Sequence, residues 1–463
     1  MHLTSARLQP ADLLPHIDTL FSLSAAKIAT LERRWRPEDG APVFTVAGQY
    51  QARGWTEWTQ GFQFGAAVLQ FDATGEPEFL ALARSRTLER MASHLTHVGV
   101  HDHGFNNVST YGGLWRLLRE GRFEASEWER HFYELALKVS GAVQARRWTR
   151  LPDGGFIHSF NGPHSLFVDT IRSLRSLAVG HRLGHRLSEE QDAEVRLLDR
   201  LVQHAKATAA FSVYYGRGRD HYDVRGRTTH EAIFNTVNGS FRGPNSQQGY
   251  SPFSTWTRGL AWAMLGFAEQ LEFLATLDAG EFTDAGDRSA IEATMREAAA
   301  ATCDFYLEHG TAADGIPYWD TGAPGLAQLA GWADRAADPF NEHEPVDSSA
   351  AAIAVQGLVR FGRYLDSHGE EGRRYEQAGL QVLARLVDSS GPYLSTAPDH
   401  EGLLLHSVYH RPNGWDYVPP ESRIPRGESS QWGDYHLREA ALHVRRLATA
   451  APYLTFFGPA EPR

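Results

Sequence analysis

The sequence predicts an all-α fold, an (α/α)6 barrel of twelve helices with six inside and six outside. Two observations predict it. Helical periodicity runs through most of the chain while alternating strands are few, and every second helix differs in kind from its neighbours. Helices are expected at about 11–33, 60–72, 77–94, 105–121, 126–145, 168–183, 188–211, 255–275, 287–310, 348–367, 371–389 and 434–449. No Pro/Ser-rich linker or composition break divides them, so residues 1–463 are expected to form a single domain.

The odd helices, such as "SEEQDAEVRLLDRLVQ", carry one apolar stripe and a charged face, as outer helices do. The even ones, such as "GLAWAMLGFAE" and "AAAIAVQGLV", are rich in small residues and apolar on most faces, as buried helices are. Their starts also share a character. Helix two follows "GWTEWTQGF", helix four "GVHDHGF", helix six "HSLFVDTIRSL", helix eight "QQGYSPFSTWTRG", helix ten "EPVDSSAAA" and helix twelve "SSQWGDYH". Each mixes aromatic, acidic or amide residues with small ones. In a double ring of helix hairpins all six inner N-termini open at one end. That end would gather Trp58, Asp102, Asp169, Trp256, Arg258, Asp347 and Trp432, which are far apart in sequence.

Composition narrows the partners. The 463 residues are 42% hydrophobic and 11% aromatic, enough for a large core, and the net charge of −11 argues against nucleic acid or an anionic membrane. One cysteine, Cys303, excludes an internal disulfide framework and a Cys-rich zinc site. The segment MHLTSARLQP lacks a basic region followed by an apolar one, and no apolar run approaches the roughly 20 residues that span a bilayer, so a cytoplasmic protein is expected.

Asp, Ser and Thr are ordinary helix caps, and Asp347-Ser348-Ser349 alone is a capping signal. Asp169, following Leu166, Phe167 and Val168, reads either as a cap or as an acid held where water is scarce. Six comparable starts favour a pocket. Aromatic walls with a few carboxylates and amides suit a carbohydrate: flat rings stack on sugar faces and polar groups read hydroxyls. Asp102 and Asp169 are the candidates for proton transfer, with apolar neighbours expected to raise a carboxyl's pKa. Arg258, flanked by Trp256 and Trp262, suits an acidic sugar or a structural ion pair. "HDHGF" and "HRLGH" (His181, His185) pair histidines, but the first lacks a third ligand and the second reads as a solvated helix end. No metal or other cofactor is expected.

"HDHGF", Thr229-His230-Glu231, "QGYSPFSTWTRGLAW", "DGIPYWD", "DSSAAAIA" and "WGDY" together resemble the ordered motif set of glycoside hydrolase family 88, the unsaturated glucuronyl hydrolases, from about Trp55 to Tyr435. Family 105, the unsaturated rhamnogalacturonyl hydrolases, resembles it less in the "HDHGF" and "DSSAAAIA" blocks. The resemblance implies an (α/α)6 barrel with Asp169 as principal general acid/base and Asp102 as a second essential acid. It also implies Trp58, His230, Gln248, Trp256, Arg258 and Trp262 as substrate-contacting or site-supporting residues. The chain departs from the pattern at Ile171, Arg172 and Ser173, where the family has a Met-Asn-Leu run, and at Gln63, where an aromatic is usual. Arg172, one turn beyond Asp169, is placed to lower its pKa.

The implied substrate is an unsaturated oligosaccharide released by a polysaccharide lyase, with a C4=C5 bond in its terminal uronic acid. The implied reaction hydrates that vinyl ether: a proton goes to C4, water adds at C5, and the hemiketal opens. One acid/base suffices, unlike the carboxylate pair that flanks an ordinary glycosidic bond. The rival readings are a family 105 enzyme, a sugar epimerase using paired histidines, a conventional inverting glycosidase using Asp102 and Asp169, and a silent sugar-binding protein. A monomer or homodimer is expected.

Overall fold

A computed structural model of the chain describes residue 1 and residues 7–54, 57–282 and 285–459. Trp55 and Thr56, at the start of the first quoted motif, lie outside the described residues. The twelve expected helices are present. They are α1 Leu14–Arg34, α2 Gln60–Thr74, α3 Pro77–Arg90, α4, α5 Glu127–Arg146, α6, α7 Leu197–Phe211, α8 Thr257–Leu274, α9 Arg288–Phe305, α10 Ser348–Ser367, α11 Arg373–Val387 and α12 Gln431–Ala448. Helix α4 runs His103–Asn107, through a π-helical turn Val108–Gly112, into Gly113–Arg119. Helix α6 is Thr170–Ser173 followed, past Leu174, by Arg175–Arg182.

The even helices form a closed inner ring. Helix α2 packs on α4, α4 on α6, α6 on α8, α8 on α10, α10 on α12, and α12 returns to α2. The odd helices lie outside, with α3, α9 and α11 packed on the inner helices they adjoin. Composition explains the division. Helix α8 buries every residue but Glu272, and α10 is buried from Ser348 to Gly362, so neither has a face to give to water. Helix α11 buries only a stripe from Tyr375 to Val387. Among the described residues no helix is long and apolar enough to cross a membrane.

Two boundaries differ from the sequence reading. The helix expected from 188 begins at Leu197, because Arg186–Ser188 and Glu194–Arg196 pair as a small hairpin around a polar turn in which Gln191 and Asp192 take positive φ. The helix expected from 168 begins at Thr170, because Ser165–Phe167 is a buried strand paired antiparallel with Glu231–Phe234, which in turn pairs with Phe241–Asn245. A short apolar run fits a buried strand as well as a helix start, and pairing decides it. This three-stranded sheet lies at the open end of the ring, and two of the site's residues flank its strands: Asp169 just after the first and His230 just before the second.

The barrel axis is charged rather than apolar. Arg172 forms a fork on Glu269 (Nε–Oε2 3.0 Å, Nη2–Oε1 3.0 Å) and reaches Glu439 at 2.7 Å and the His436 ring. Arg172 therefore points down the axis, and the expectation that it depresses Asp169 is corrected: its carboxylate partners are on α8 and α12.

Candidate active site

Two acids meet at the open end because α4 and α6 approach closely. Asp102 precedes the first residue of α4 and Asp169 the first residue of α6. Two residues into α4, Gly104 lies against Ser173, where a Cβ would stand 2.2 Å from the Ser173 carbonyl oxygen. Only glycine permits that approach. The junction is hydrogen-bonded: Gly104 N–H donates to Ser173 Oγ (2.9 Å), which donates to the His101 carbonyl (2.6 Å), and Gln144 Nε2 donates to both (3.0 and 2.8 Å).

His101 sits between the carboxylates. Its Nε2 is 3.2 Å from Asp169 Oδ1 and 3.7 Å from Asp102 Oδ1, so the two acids can share one sugar ring. Asp102 and Asp169 are each 7% exposed, and His101 2%. Burial raises Asp102, and the charge of Asp169 adds to it against His101. Burial also pushes Asp169 up, but the hydrogen bond and charge of His101, with His230 and Arg258 behind it, outweigh burial and hold it below the usual carboxylate range. Burial alone would lower His101, yet the two acids raise it. The resting site thus holds an ionised Asp169 against a His101 that favours its proton. The sequence reading that apolar surroundings raise the Asp169 carboxyl is corrected, since it is Asp102 that rises.

Asp169 also answers whether it is a cap. It stands at the N-cap position but its side chain accepts no backbone N–H of α6, and Asp102 behaves likewise on α4. The cap half of the Asp169 reading fails because its carboxylate turns to His101. Asp347 is the true cap, accepting Ser349 N (3.1 Å) and Ala350 N (3.3 Å).

The sheet brings His230 to Asp169. Val168 N–H donates to the His230 carbonyl (3.0 Å), and the ring packs on Phe167 (4.4 Å) and Trp256 (4.8 Å). Its Nδ1 accepts from Gln247 N (3.0 Å) and Gln248 N (3.3 Å), which places the neutral ring's proton on Nε2. That nitrogen is buried with no hydrogen-bond partner among the described residues. Burial lowers His230 to about 4 against the pull of Asp169 and Glu231, so its ring is neutral and Nε2–H is available as a donor.

Arg258 organises the opposite wall. It is held by Asp347 (3.1 Å), the Val408 and Tyr409 carbonyls, and Gln248 Oε1 (3.0 Å), and it stacks over Trp256 and Trp432 at 4.6 and 4.9 Å. Its terminal nitrogens are occupied, which favours the ion-pair alternative over direct capture of an acidic sugar. Trp58 stacks on Trp432 at 5.2 Å and 25° and remains partly exposed. Trp262 lies deeper, 2% exposed, between Phe105 and His436, and so supports the wall from inside the ring.

No family model matches the chain. Over 408 residues it is 26% identical to the unsaturated glucuronyl hydrolase of Bacillus sp. (strain GL1), covering 86% of this chain and 89% of that protein. It is 24% identical over 447 residues to the unsaturated chondroitin disaccharide hydrolase of Streptococcus pyogenes serotype M1, covering 94% and 93%. The chain is a homologue of proteins named unsaturated glucuronyl hydrolase and unsaturated chondroitin disaccharide hydrolase. In fold it matches the crystal structure of the unsaturated glucuronyl hydrolase from Bacillus sp. GL1 with a TM-score of 0.70 and 22% identity, over 97% of this chain and 99% of that one.

For an unsaturated glucuronyl hydrolase homologue, sequence reasoning missed three things. His101 was visible as half of "HDH" but not as the bridge between the acids. Phe160, 44% exposed and stacked 6.1 Å over His101, belongs to a loop whose place only the sheet reveals. The Gln144–Ser173 clamp joins an outer helix to an inner one, and no local pattern announces it.

Proposed function

We propose that the protein is a glycoside hydrolase that releases the 4,5-unsaturated uronic acid from the non-reducing end of lyase-generated oligosaccharides by hydrating the vinyl ether. The observation that carries this reading is His101 bridging Asp102 and Asp169 beside the unpaired His230 Nε2. The kinship supports the substrate class, since the relatives are named for unsaturated glucuronyl and chondroitin disaccharide substrates.

Asp169 is the group proposed to exchange the proton with substrate. An anionic uronate entering this pocket adds negative charge beside both carboxyls and raises them, so that Asp169 takes up the proton it needs, with His101 beside it as the nearest donor. It delivers that proton to C4, positive charge develops at C5, and water adds there as the ionised Asp169 accepts water's proton. The C5 hemiketal then opens by breaking its bond to the ring oxygen, giving a C5 ketone and leaving a hemiacetal at C1. That hemiacetal collapses to an aldehyde as the C1–O bond to the neighbouring sugar breaks and that oxygen takes up a proton. His230 Nε2–H and the positive ends of the inner helices stabilise the anionic ring, Trp58 and Phe160 offer flat faces, and Arg258 fixes Gln248 and Trp256 in place. Trp262 holds the wall from behind.

We propose with this that residues 1–463 act as one catalytic domain, supported by α12 closing the ring on α2. A monomer or homodimer fits a site built wholly from one chain's residues. A cytoplasmic location fits a lone, buried cysteine. The experiment is direct: incubation with lyase-generated unsaturated disaccharides should abolish the ultraviolet absorbance of the conjugated C4=C5 bond. Cleavage with that absorbance retained would refute hydration.

A further inference from the structure

Outside the acid pair, a cleft of about 560 Å³ opens between α1, the turn that follows it, α2 and α3, at the same end of the barrel as the site. That volume lies within the usual range for small-molecule sites, about 300–1,000 Å³. Its lining joins an aromatic face to cationic and amide groups. Trp35 is half-buried, with its indole pinned by Nε1–H donating to the Gly40 carbonyl (2.8 Å). Gln60 and Gln63, hydrogen-bonded to each other, come from the first turn of α2, just past Trp58.

The cleft carries more cations than acids. In a chain of net charge −11, three arginines and one glutamate line it. Arg86 is committed to Glu32 and to Glu89 (2.6 Å). Arg36 and Arg90 are exposed and have no carboxylate partner among the described residues; the Arg36 guanidinium reaches only the backbone carbonyls of Arg33 and Trp35. The His97 imidazole, also on the wall, has no hydrogen-bond partner among the described residues, and it immediately precedes the segment carrying Asp102.

From this juxtaposition we infer that the cleft is an accessory site for an anionic sugar unit, sulfated or carboxylated, with Trp35 under the ring and Arg36 and Arg90 on the acid group. The substrate class rests on the function proposed above; the cleft itself does not. It would let the protein hold an acidic oligosaccharide by a unit other than the one being hydrated.

The test uses a saturated chondroitin sulfate tetrasaccharide, which has no C4=C5 bond and cannot be turned over. Titration calorimetry should show binding that weakens with salt, because the arginines are exposed. Hydrogen exchange on the whole protein should show protection at residues 35–41 and 86–97. The Arg36→Ala/Arg90→Ala variant should lose about tenfold or more in affinity, the worth of one or two charge-assisted contacts. Protection confined to residues 101–103, 164–170 and 230–248, or equal affinity in the variant, would overturn the inference. Because the exchange readout is taken on the wild type, a variant that misfolds leaves the question decidable. Cleft protection without turnover of unsaturated disaccharides would sink the proposed function and leave the accessory site standing; turnover without cleft protection would do the reverse.

Discussion

Gly104 lies so close to Ser173 that a single methyl group would stand 2.2 Å from the Ser173 carbonyl. This contact sets the distance between α4 and α6, and therefore between Asp102 and Asp169. Gly104→Ala should cost about 1–3 kcal/mol, the usual range for overpacking, and reduce turnover more than thermal stability alone explains. Unfolding midpoints and kcat/KM on an unsaturated disaccharide, measured together, check it. Unchanged turnover in a folded variant would mean that the separation of the acids does not matter.

Asp169→Asn should lose about 10²–10⁴-fold in kcat while KM stays close to the wild-type value. The fold should survive, because the side chain caps nothing and gives up only its contact with His101. A variant keeping more than a tenth of wild-type activity would transfer the principal role to Asp102.

Replacing His101 tests what holds Asp169 down. In His101→Gln the hydrogen bond and charge that lower Asp169 are gone and burial remains, so its pKa rises. The basic limb of the kcat/KM profile, set by the proton that Asp169 must carry to C4, should move to higher pH. Stability should follow with a definite sign. A depressed Asp169 stabilises above its unfolded value near 4 and ceases to as pH falls; a raised His101 stabilises below about 6.5 and ceases to as pH climbs through its folded value. The wild type's advantage over the variant should therefore be greatest between about pH 4 and 6.5. Urea unfolding inside and above that window measures it.

Arg172→Met removes the cation shared by Glu269 and Glu439 at the barrel axis. Two buried carboxylates are left, with Arg175, 3.8 Å from Glu439, and Arg360 still nearby. A loss of about 3–5 kcal/mol is expected in urea unfolding. A loss below 1 kcal/mol would show that the axis admits water.

The double ring was legible because burial acts on whole helices: α8 and α10 are too apolar to sit anywhere but inside. The acids were legible as acids at helix starts, and the resemblance singled out Asp169. Its orientation was not legible. Cap and catalyst place Asp at the same position, and only the neighbouring helix decides where the carboxylate turns. For the same reason Arg172, three residues on in sequence, spends its charge on Glu269 and Glu439, while His101, in the turn before α4, is the main group that lowers Asp169. Gln63 departs from the expected aromatic and lines the cleft outside α2, away from the acids.

The return of α12 to α2 has a bearing on how the chain is made. Residues 60–74 emerge early from the ribosome and their ring neighbour, residues 431–448, emerges late. Until then α2 and α10 each expose an apolar flank, and Trp58 lacks the Trp432 ring on which it stacks. Such flanks on a nascent chain invite association, and contacts of this sequence separation form slowly. The wall beside the two acids is thus among the last parts to be assembled, and its apolar seam is the one that stays uncovered longest on the growing polypeptide.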